Sequence, residues 1–344
     1  MEPNARIFVT GASGFIGTSL VRQLLASGYR VRGMSRKSPV FPPGYTGSKE
    51  ELWNHPNFEF FQGDISDLDS LRRGIDGCDY VIHLAGYAKN YSHDPSAFYK
   101  INLGGMKNVF TASKEKGIKK IVWTSSIVTF GPTRKGEVAD ESTPRITDKY
   151  ITEYEKSKSL AEKEAQKWLD GGLPLVIVNP TRVFGPGQLS EGNALARLID
   201  DYDRGRFPFL VNFGVNVGNY VLVDDVARGH FLALEKGRIG QKYILGSENA
   251  SLKEFFDLVD EVTGKKHFRF PIWKFWPMVV GYVLLWSAIL FGIYPRITPS
   301  WVRTFTVDWA YSCDKAKREL GYSPTCLRDS LALTCAWLKA QRQG

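Results

Sequence analysis

The sequence predicts an α/β fold: a doubly wound parallel sheet followed by a smaller, mostly helical C-terminal cap. Three observations predict it. Short apolar runs alternate with amphipathic stretches through residues 6–180, the pattern of a parallel sheet covered by helices on both faces. A glycine-rich turn separates the first apolar run from the first amphipathic stretch. After Pro180 the rhythm changes to mainly helical periodicity. A length of 344 residues suits two units, or one α/β unit with an appendage. With 43% hydrophobic and 24% charged residues, the chain is not a mostly disordered one.

In order, residues 6–10 (RIFVT) read as the first strand and 16–26 as the first helix, with Ile16, Leu20, Leu24 and Leu25 on one face. Further strands are expected at 29–35, 58–62, 80–84, 120–124 and 175–179, and helices at 68–75, 97–116 and 151–169. These elements place a nucleotide-binding unit at 1–180. Beyond it, 195–202, 226–235 and 252–263 read as helices, 220–223 and 242–245 as short strands, and 314–320 and 327–342 as the last helices. The strands and helix around 218–245 are expected to return to the main sheet. The region 181–344 is then a substrate-binding cap with no clean boundary.

The turn carries glycines at 11, 14 and 17. Gly11 can make the tight turn, Gly14 lets a pyrophosphate approach the backbone, and Gly17 allows close helix–strand packing. The helix N-terminus adds free N–H groups and a favourable dipole. Position decides: strand before and helix after make this a dinucleotide site of the Rossmann type. An acid ending the second strand would accept from the ribose 2′-hydroxyl of NAD. Here the strand runs into Ser35-Arg36-Lys37, and Arg36 can hold a 2′-phosphate bidentately. NADP(H) is therefore favoured, with NAD(H) the alternative.

Tyr154 and Lys158 stand at i, i+4 on a predicted helix, hence on one face. An ammonium beside a tyrosine favours the phenolate and brings its pKa down towards useful values. Tyr45…Lys49 and Tyr311…Lys315 share the spacing, but only Tyr154 lies on a helix following the fifth strand. That strand ends Thr124-Ser125-Ser126, and a hydroxyl at the C-terminal edge of a parallel sheet faces the ligand crevice. Ser126 can hydrogen-bond a substrate oxygen there.

With these residues together, the chain resembles the extended short-chain dehydrogenase/reductases of the epimerase/dehydratase superfamily, over about residues 5–338. GASGFIG at 11–17 is similar to the family's glycine motif, which implies cofactor contacts from Gly11, Ser13, Gly14, Phe15, Ile16 and Gly17. Gly63-Asp64-Ile65 resembles the turn whose Asp64 would contact adenine, with Ile65 beside it. Leu84-Ala85-Gly86 resembles the segment beside the cofactor, with Gly86 where alanine is usual. Asn102 matches the helix asparagine that supports the active site, and Pro180 and Val183 lie in the loop flanking the nicotinamide. The resemblance makes Ser126, Tyr154 and Lys158 the catalytic group. The segments at 220–227 and 315–324 also resemble family signatures, though Leu222 stands where histidine is frequent. The Thr-Ser-Ser-Ile start and Arg36 look like the branch of 3β-hydroxysteroid dehydrogenases and dihydroflavonol reductases. It implies an alcohol/ketone oxidoreductase acting on a lipophilic sterol, terpenoid or flavonoid-like substrate. A homodimer through helices 97–116 and 151–169 is also implied. The second reading is a nucleotide-sugar epimerase or dehydratase holding NAD tightly. It would want an acid on the second strand and a polar, arginine-bearing cap. A catalytically silent cofactor sensor is a third reading, against which the intact Tyr154/Lys158 pair stands.

Lys plus Arg exceeds Asp plus Glu by 45 − 36, a net charge of +9. That suits anionic ligands or membrane surfaces. No basic run or zinc-finger spacing points to nucleic acid, and no metal site is expected. Cys78, Cys313, Cys326 and Cys335 form no CxxC and read as incidental thiols of a cytoplasmic protein. No signal peptide is expected at the start of the chain. Residues 275–295 carry no charge, and Lys265, Lys266, Arg269 and Lys274 precede them. Three readings fit this segment: a monotopic or re-entrant membrane anchor, an apolar wall around a lipophilic substrate, and a full span.

Overall fold

The structure is a computed structural model that describes residue 2 and residues 4–37, 52–295 and 297–343. The first half contains β1 (Arg6–Thr10), α1 (Phe15–Ala26), β2 (Arg30–Ser35), β3 (Phe58–Gln62), α2 (Leu68–Ile75), β4 (Tyr80–His83), α3 (Ser96–Tyr99), α4 (Met106–Glu115), β5 (Lys120–Thr124), α5 (Glu153–Asp170) and β6 (Leu175–Pro180). The second half contains β7 (Arg182–Phe184), α6 (Ala194–Asp203), β8 (Phe209–Val211), β9 (Val217–Leu222), α7 (Val223–Lys236), β10 (Lys242–Leu245), β11 (Glu248–Ser251) and α8 (Leu252–Thr263). It continues with β12 (Phe270–Ile272), α9 (Phe275–Phe291), α10 (Pro299–Thr304), α11 (Asp314–Leu320) and α12 (Leu327–Gln341).

Seven strands form one sheet in the order β10-β6-β5-β4-β1-β2-β3, every pair parallel. On one face α1, α7 and α11 bury Leu20, Leu24, Val226, Phe231 and Leu320. On the other, α2, α4 and α5 bury Leu71, Met106, Phe110, Ala161 and Ala165. This is the expected doubly wound α/β fold, with the strand order reversing direction between β1 and β4. The cap has its own core, built from β7, α6, β9, α8, α10 and α12 around Phe184, Tyr220, Phe255, Phe256 and Val302.

Two of the expected regions differ in the structure. The helix expected over 97–116 is broken by a wider, π-helical stretch, Lys100–Gly105, which carries Asn102. Of the strands expected within 218–245, β10 joins the main sheet beside β6, but β9 pairs with β11 and β7 in a separate three-stranded sheet. Two buried histidines, His83 in β4 and His230 on α7, are hydrogen-bonded. The Nδ1 of His83 lies 2.7 Å from the Thr10 hydroxyl. His230 has Nδ1 2.7 Å from the Val226 carbonyl and Nε2 2.8 Å from the Thr124 hydroxyl. A carbonyl only accepts, so Nδ1 of His230 bears the proton and Nε2 accepts from Thr124.

Residues 275–295 begin with α9 and end in a turn through Gly292, which is left-handed at φ +69°. Of this helix only Pro277, Gly281 and Ala288 are buried. A Cβ on Gly281 would stand 3.0 Å from the backbone of Thr298 and Pro299, so glycine permits the close approach of α10. Among the described residues no helix is long and apolar enough to cross a membrane, which removes the full-span reading from the described chain.

Candidate active site

The glycine turn lies where β1 meets α1, beside the switch in strand order. Gly11 has φ +73°, and a Cβ there would come within 2.9 Å of the Ala85 nitrogen. A Cβ on Gly17 would lie 2.1 Å from the Gly11 carbonyl oxygen. The turn is closed by the Gly14 nitrogen donating to that same carbonyl at 2.9 Å. Gly14 is the N-cap of α1, with no side chain capping it and no acid in the first turn. The first-turn N–H groups therefore remain available to an anion. Open N–H groups above a floor that admits no side chain fit the pyrophosphate of a nicotinamide dinucleotide.

This turn opens into a cavity of about 440 Å³. Gly11, Gly14, Phe15, Ile16 and Gly17 form one end, Leu84, Ala85 and Gly86 one side, and Pro180 and Val183 another. Ser126, Tyr154 and Lys158 line the same space. Ser126 caps the short helical turn Ile127–Thr129 that follows β5, and Val128 donates its N–H to the Ser126 hydroxyl at 3.4 Å. Tyr154 and Lys158 sit in the first turns of α5, which starts because Thr152 accepts the Glu155 N–H at 3.0 Å. A buried ion pair between Arg145 and Glu155 fixes that helix end to the preceding loop. The same guanidinium donates to the carbonyls of Val128 (3.0 Å) and Thr147 (2.6 Å).

Burial raises the Tyr154 hydroxyl above its ordinary pKa, and the neighbouring Ser126 hydroxyl works against that shift. The expected lowering by Lys158 is not the dominant effect: that ammonium donates to the Thr124 carbonyl at 2.9 Å. Burial brings Lys158 down to about 8, opposed by the carboxylate of Glu162. Glu162 stands one turn further along α5, on the same face. It accepts from Ser125 Oγ at 2.6 Å, from Asn179 Nδ2 at 3.2 Å and from Lys242. Asn179 also donates to the Ser126 carbonyl at 3.1 Å. One buried carboxylate thus ties α5, β5, β6 and β10 together directly behind Ser126.

The other expected contacts are distributed unevenly. Asn102 is buried and does not line the cavity. Its Oδ1 accepts the Tyr87 N–H at 2.7 Å and its Nδ2 donates to Ser157 Oγ at 2.9 Å. From the π-helical stretch it pins the 84–87 loop to α5. Ser13 offers no side chain to the cavity, and its carbonyl accepts from Gln188 at 3.3 Å. Asp64 turns back on its own loop, accepting from the Ser66 N–H and hydroxyl at 2.8 Å each. Ile65 is buried against Gly105. Arg36 is exposed just past β2, outside the cavity, with its carbonyl accepting from Gln62 at 3.2 Å. No residue of 275–295 lines the cavity, so the apolar-wall reading does not describe that space. Of the decoy pairs, Tyr311 is buried against the Gly131 carbonyl and Lys315 bonds Gln241 at 2.9 Å. Tyr45 and Lys49 lie outside the described residues.

Sequence reasoning missed Glu162, whose only signal was its place one turn after Lys158. It also missed Thr304 and Trp309, which reach the cavity from the cap and carry no local signal. All four cysteines are free thiols. Among the described residues no cluster of His, Cys, Asp or Glu could hold a metal.

Residues 7–246 match the NAD dependent epimerase/dehydratase family, and the chain belongs to it. A relative in Synechocystis sp., named "Putative dihydroflavonol 4-reductase", is 32% identical over 338 residues, covering 96% of this chain and 94% of its own. The sterol-4-alpha-carboxylate 3-dehydrogenase, decarboxylating, of Mus musculus is 29% identical over 340 residues, covering 93% of this chain and 87% of its own. The crystal structure of gox2253 superposes with a TM-score of 0.80 at 35% identity, covering 99% of each chain. The chain is therefore an NAD(P)-dependent enzyme of the dehydrogenase and reductase type.

Proposed function

We propose that this enzyme interconverts a secondary alcohol and a ketone on a lipophilic substrate, with NADP(H) preferred to NAD(H). The observation that carries the reading is the opening of the glycine turn and of Ser126, Tyr154 and Lys158 into one cavity. When bound, the nicotinamide supplies or takes the hydride. The residues of the chain do the rest. Ser126 Oγ holds the substrate oxygen. The Tyr154 hydroxyl, kept protonated by burial, gives its proton to that oxygen during reduction and takes it back during oxidation. Lys158, cationic below about pH 8, favours the negative charge that Tyr154 carries in between. Asn102 and Glu162 orient the helix and loops from behind.

The names of the relatives support a sterol or flavonoid-like substrate. The exposed Arg36 and the absence of an acid at the end of β2 support the NADP preference. Substrates of this class partition into bilayers, so the reading includes a membrane surface as the place where the enzyme meets them. It also includes a homodimer through the helical stretches 97–116 and 151–169, whose mass light scattering reads. The nucleotide-sugar reading is disfavoured by Arg182, the arginine that reaches the cavity. Its guanidinium is committed to the Thr304 carbonyl at 2.9 Å and stacks 4.8 Å from the centre of the Phe305 ring.

The test is nicotinamide absorbance with sterol, flavonoid and nucleotide-sugar panels. Turnover of a lipophilic carbinol is expected, lost by about 10²–10⁴-fold in Tyr154→Phe with cofactor binding retained. Full activity of that variant would remove Tyr154 from the mechanism. Arg36→Asp is expected to move the preference towards NAD, and an unchanged preference would give the 2′-phosphate to another residue.

A further inference from the structure

The face of the molecule built by β12, α9 and the turn after it is apolar and uncovered. Trp273, Trp276, Val283, Trp286, Leu290 and Phe291 are each more than half exposed, at 56–73%. Soluble monomers rarely expose apolar patches of this extent without using them. The 17 residues of α9 span about 26 Å, and the helix is tied along one stripe to α10 through Gly281. It therefore lies flat against the protein and presents its other sides outward.

From residue 265 to residue 307 the sequence contains no Asp or Glu. It contains Lys265, Lys266, Arg269, Lys274, Arg296 and Arg303. Lys265 and Arg269 are paired with acids of the cap. Lys266 and Lys274, both exposed, enter no salt bridge among the described residues. Exposed Lys274 at the N-terminal end of α9 and Lys266 before it, on a segment with no acid of its own, make this apolar face complementary to anionic headgroups above acyl chains. The exposed Trp273, Trp276 and Trp286 suit the headgroup level. The same charge pattern disfavours a second copy of the chain, which would bring like charges together.

The face is also linked to the cavity by two neighbouring elements. The helix seated against α9, α10, ends at Thr304, which lines the cavity. Tyr294, just past α9, donates its hydroxyl to Glu191 at 2.7 Å, next to the lining residue Gly192. We infer that this face docks in the plane of an anionic bilayer surface, so that a lipophilic substrate reaches the cavity from the membrane. The docking stands on the exposed face, and only the route of the substrate rests on the proposed function.

The experiment is co-sedimentation of the full chain with phosphatidylcholine vesicles, with and without phosphatidylglycerol, in the absence of cofactor and substrate. The chain is expected to pellet with the anionic vesicles and at least about tenfold less with phosphatidylcholine alone. The double variant Val283→Glu, Leu290→Glu, altered only at exposed positions, is expected to stay in the supernatant with an unchanged circular dichroism spectrum. Brominated acyl chains are expected to quench tryptophan emission of the parent chain, and less so in Trp276→Phe, Trp286→Phe. A parent chain that stays in the supernatant, or a double variant that pellets equally, overturns the inference. So does a parent dimer that the double variant converts to monomer, because the face would then belong to a second copy. Binding without turnover of any lipophilic carbinol would uphold the docking and reject the proposed function instead.

Discussion

Strand β6 and helix α9 are both apolar stretches without a charge, and they end up in opposite surroundings. All six residues of Leu175–Pro180 are buried, whereas α9 buries three of 17. The difference lies in their neighbours. β6 is paired on both edges, by β5 and β10, and covered by helices on both faces. The principal neighbour of α9 is α10. Hydropathy says that a segment gains by leaving water; it does not say what receives it. Where the fold supplies a partner the segment becomes core, and where it does not the segment is left to meet something outside the chain.

That contrast can be broken or sharpened by measurement. The largest effect is expected where a charge is buried rather than an apolar group. Glu155→Ala strands Arg145 in a half-buried site and should cost about 3–5 kcal/mol in urea unfolding. Glu115→Ala, which removes the exposed partner of Arg72, should leave the urea midpoint close to that of the parent chain. Equal losses would mean that burial does not set the worth of these pairs. Next comes the direct comparison of apolar side chains. Ile177→Ala in β6, 1% exposed, should cost about 2–5 kcal/mol through the cavity it leaves. Leu290→Ala in α9, 68% exposed, should stay within about 0.5 kcal/mol in lipid-free buffer. A large loss at Leu290 would show that α9 is covered in solution.

Smaller effects follow from pH. Burial holds His83 at about 3 and His230 at about 4, both in the main sheet region. The unfolded chain takes up protons on them near 6.5 and the folded chain does not. Stability should therefore rise with pH between about 4 and 6.5 and be lost as pH falls through that window. Urea midpoints at pH 5 and 7 check the sign, and a His83→Gln variant should show a shallower slope. Lys158 titrates on the other side of neutrality. Carbonyl reduction should decline as pH rises through about 8, where its ammonium is lost. Glu162→Gln should move that limb to lower pH, because the carboxylate favours the charged lysine. An unmoved limb would assign it to another group.

Much of the fold and part of the candidate site were legible in the sequence. Alternation of apolar runs and helical periods gave the parallel sheet, because strand and helix periods are written in neighbouring residues. The glycine turn was legible because only glycine tolerates the approach of backbone seen at Gly11 and Gly17. The Tyr154/Lys158 pair was legible because i, i+4 is a local spacing. What required tertiary structure was every relation between distant parts of the chain. The strand order, the π-helical turn from which Asn102 bonds Tyr87 and Ser157, and the Glu162 junction with Ser125, Asn179 and Lys242 are of this kind. So are the arrival of Thr304 and Trp309 from the cap, and the placing of β9 in its own sheet. Hydrophobic residues 275–295 belong to both accounts. The sequence alone established that the segment avoids water, since that is a property of its side chains. Only the packed structure decided that it lies flat on the surface with few partners, since that depends on which other elements reach it.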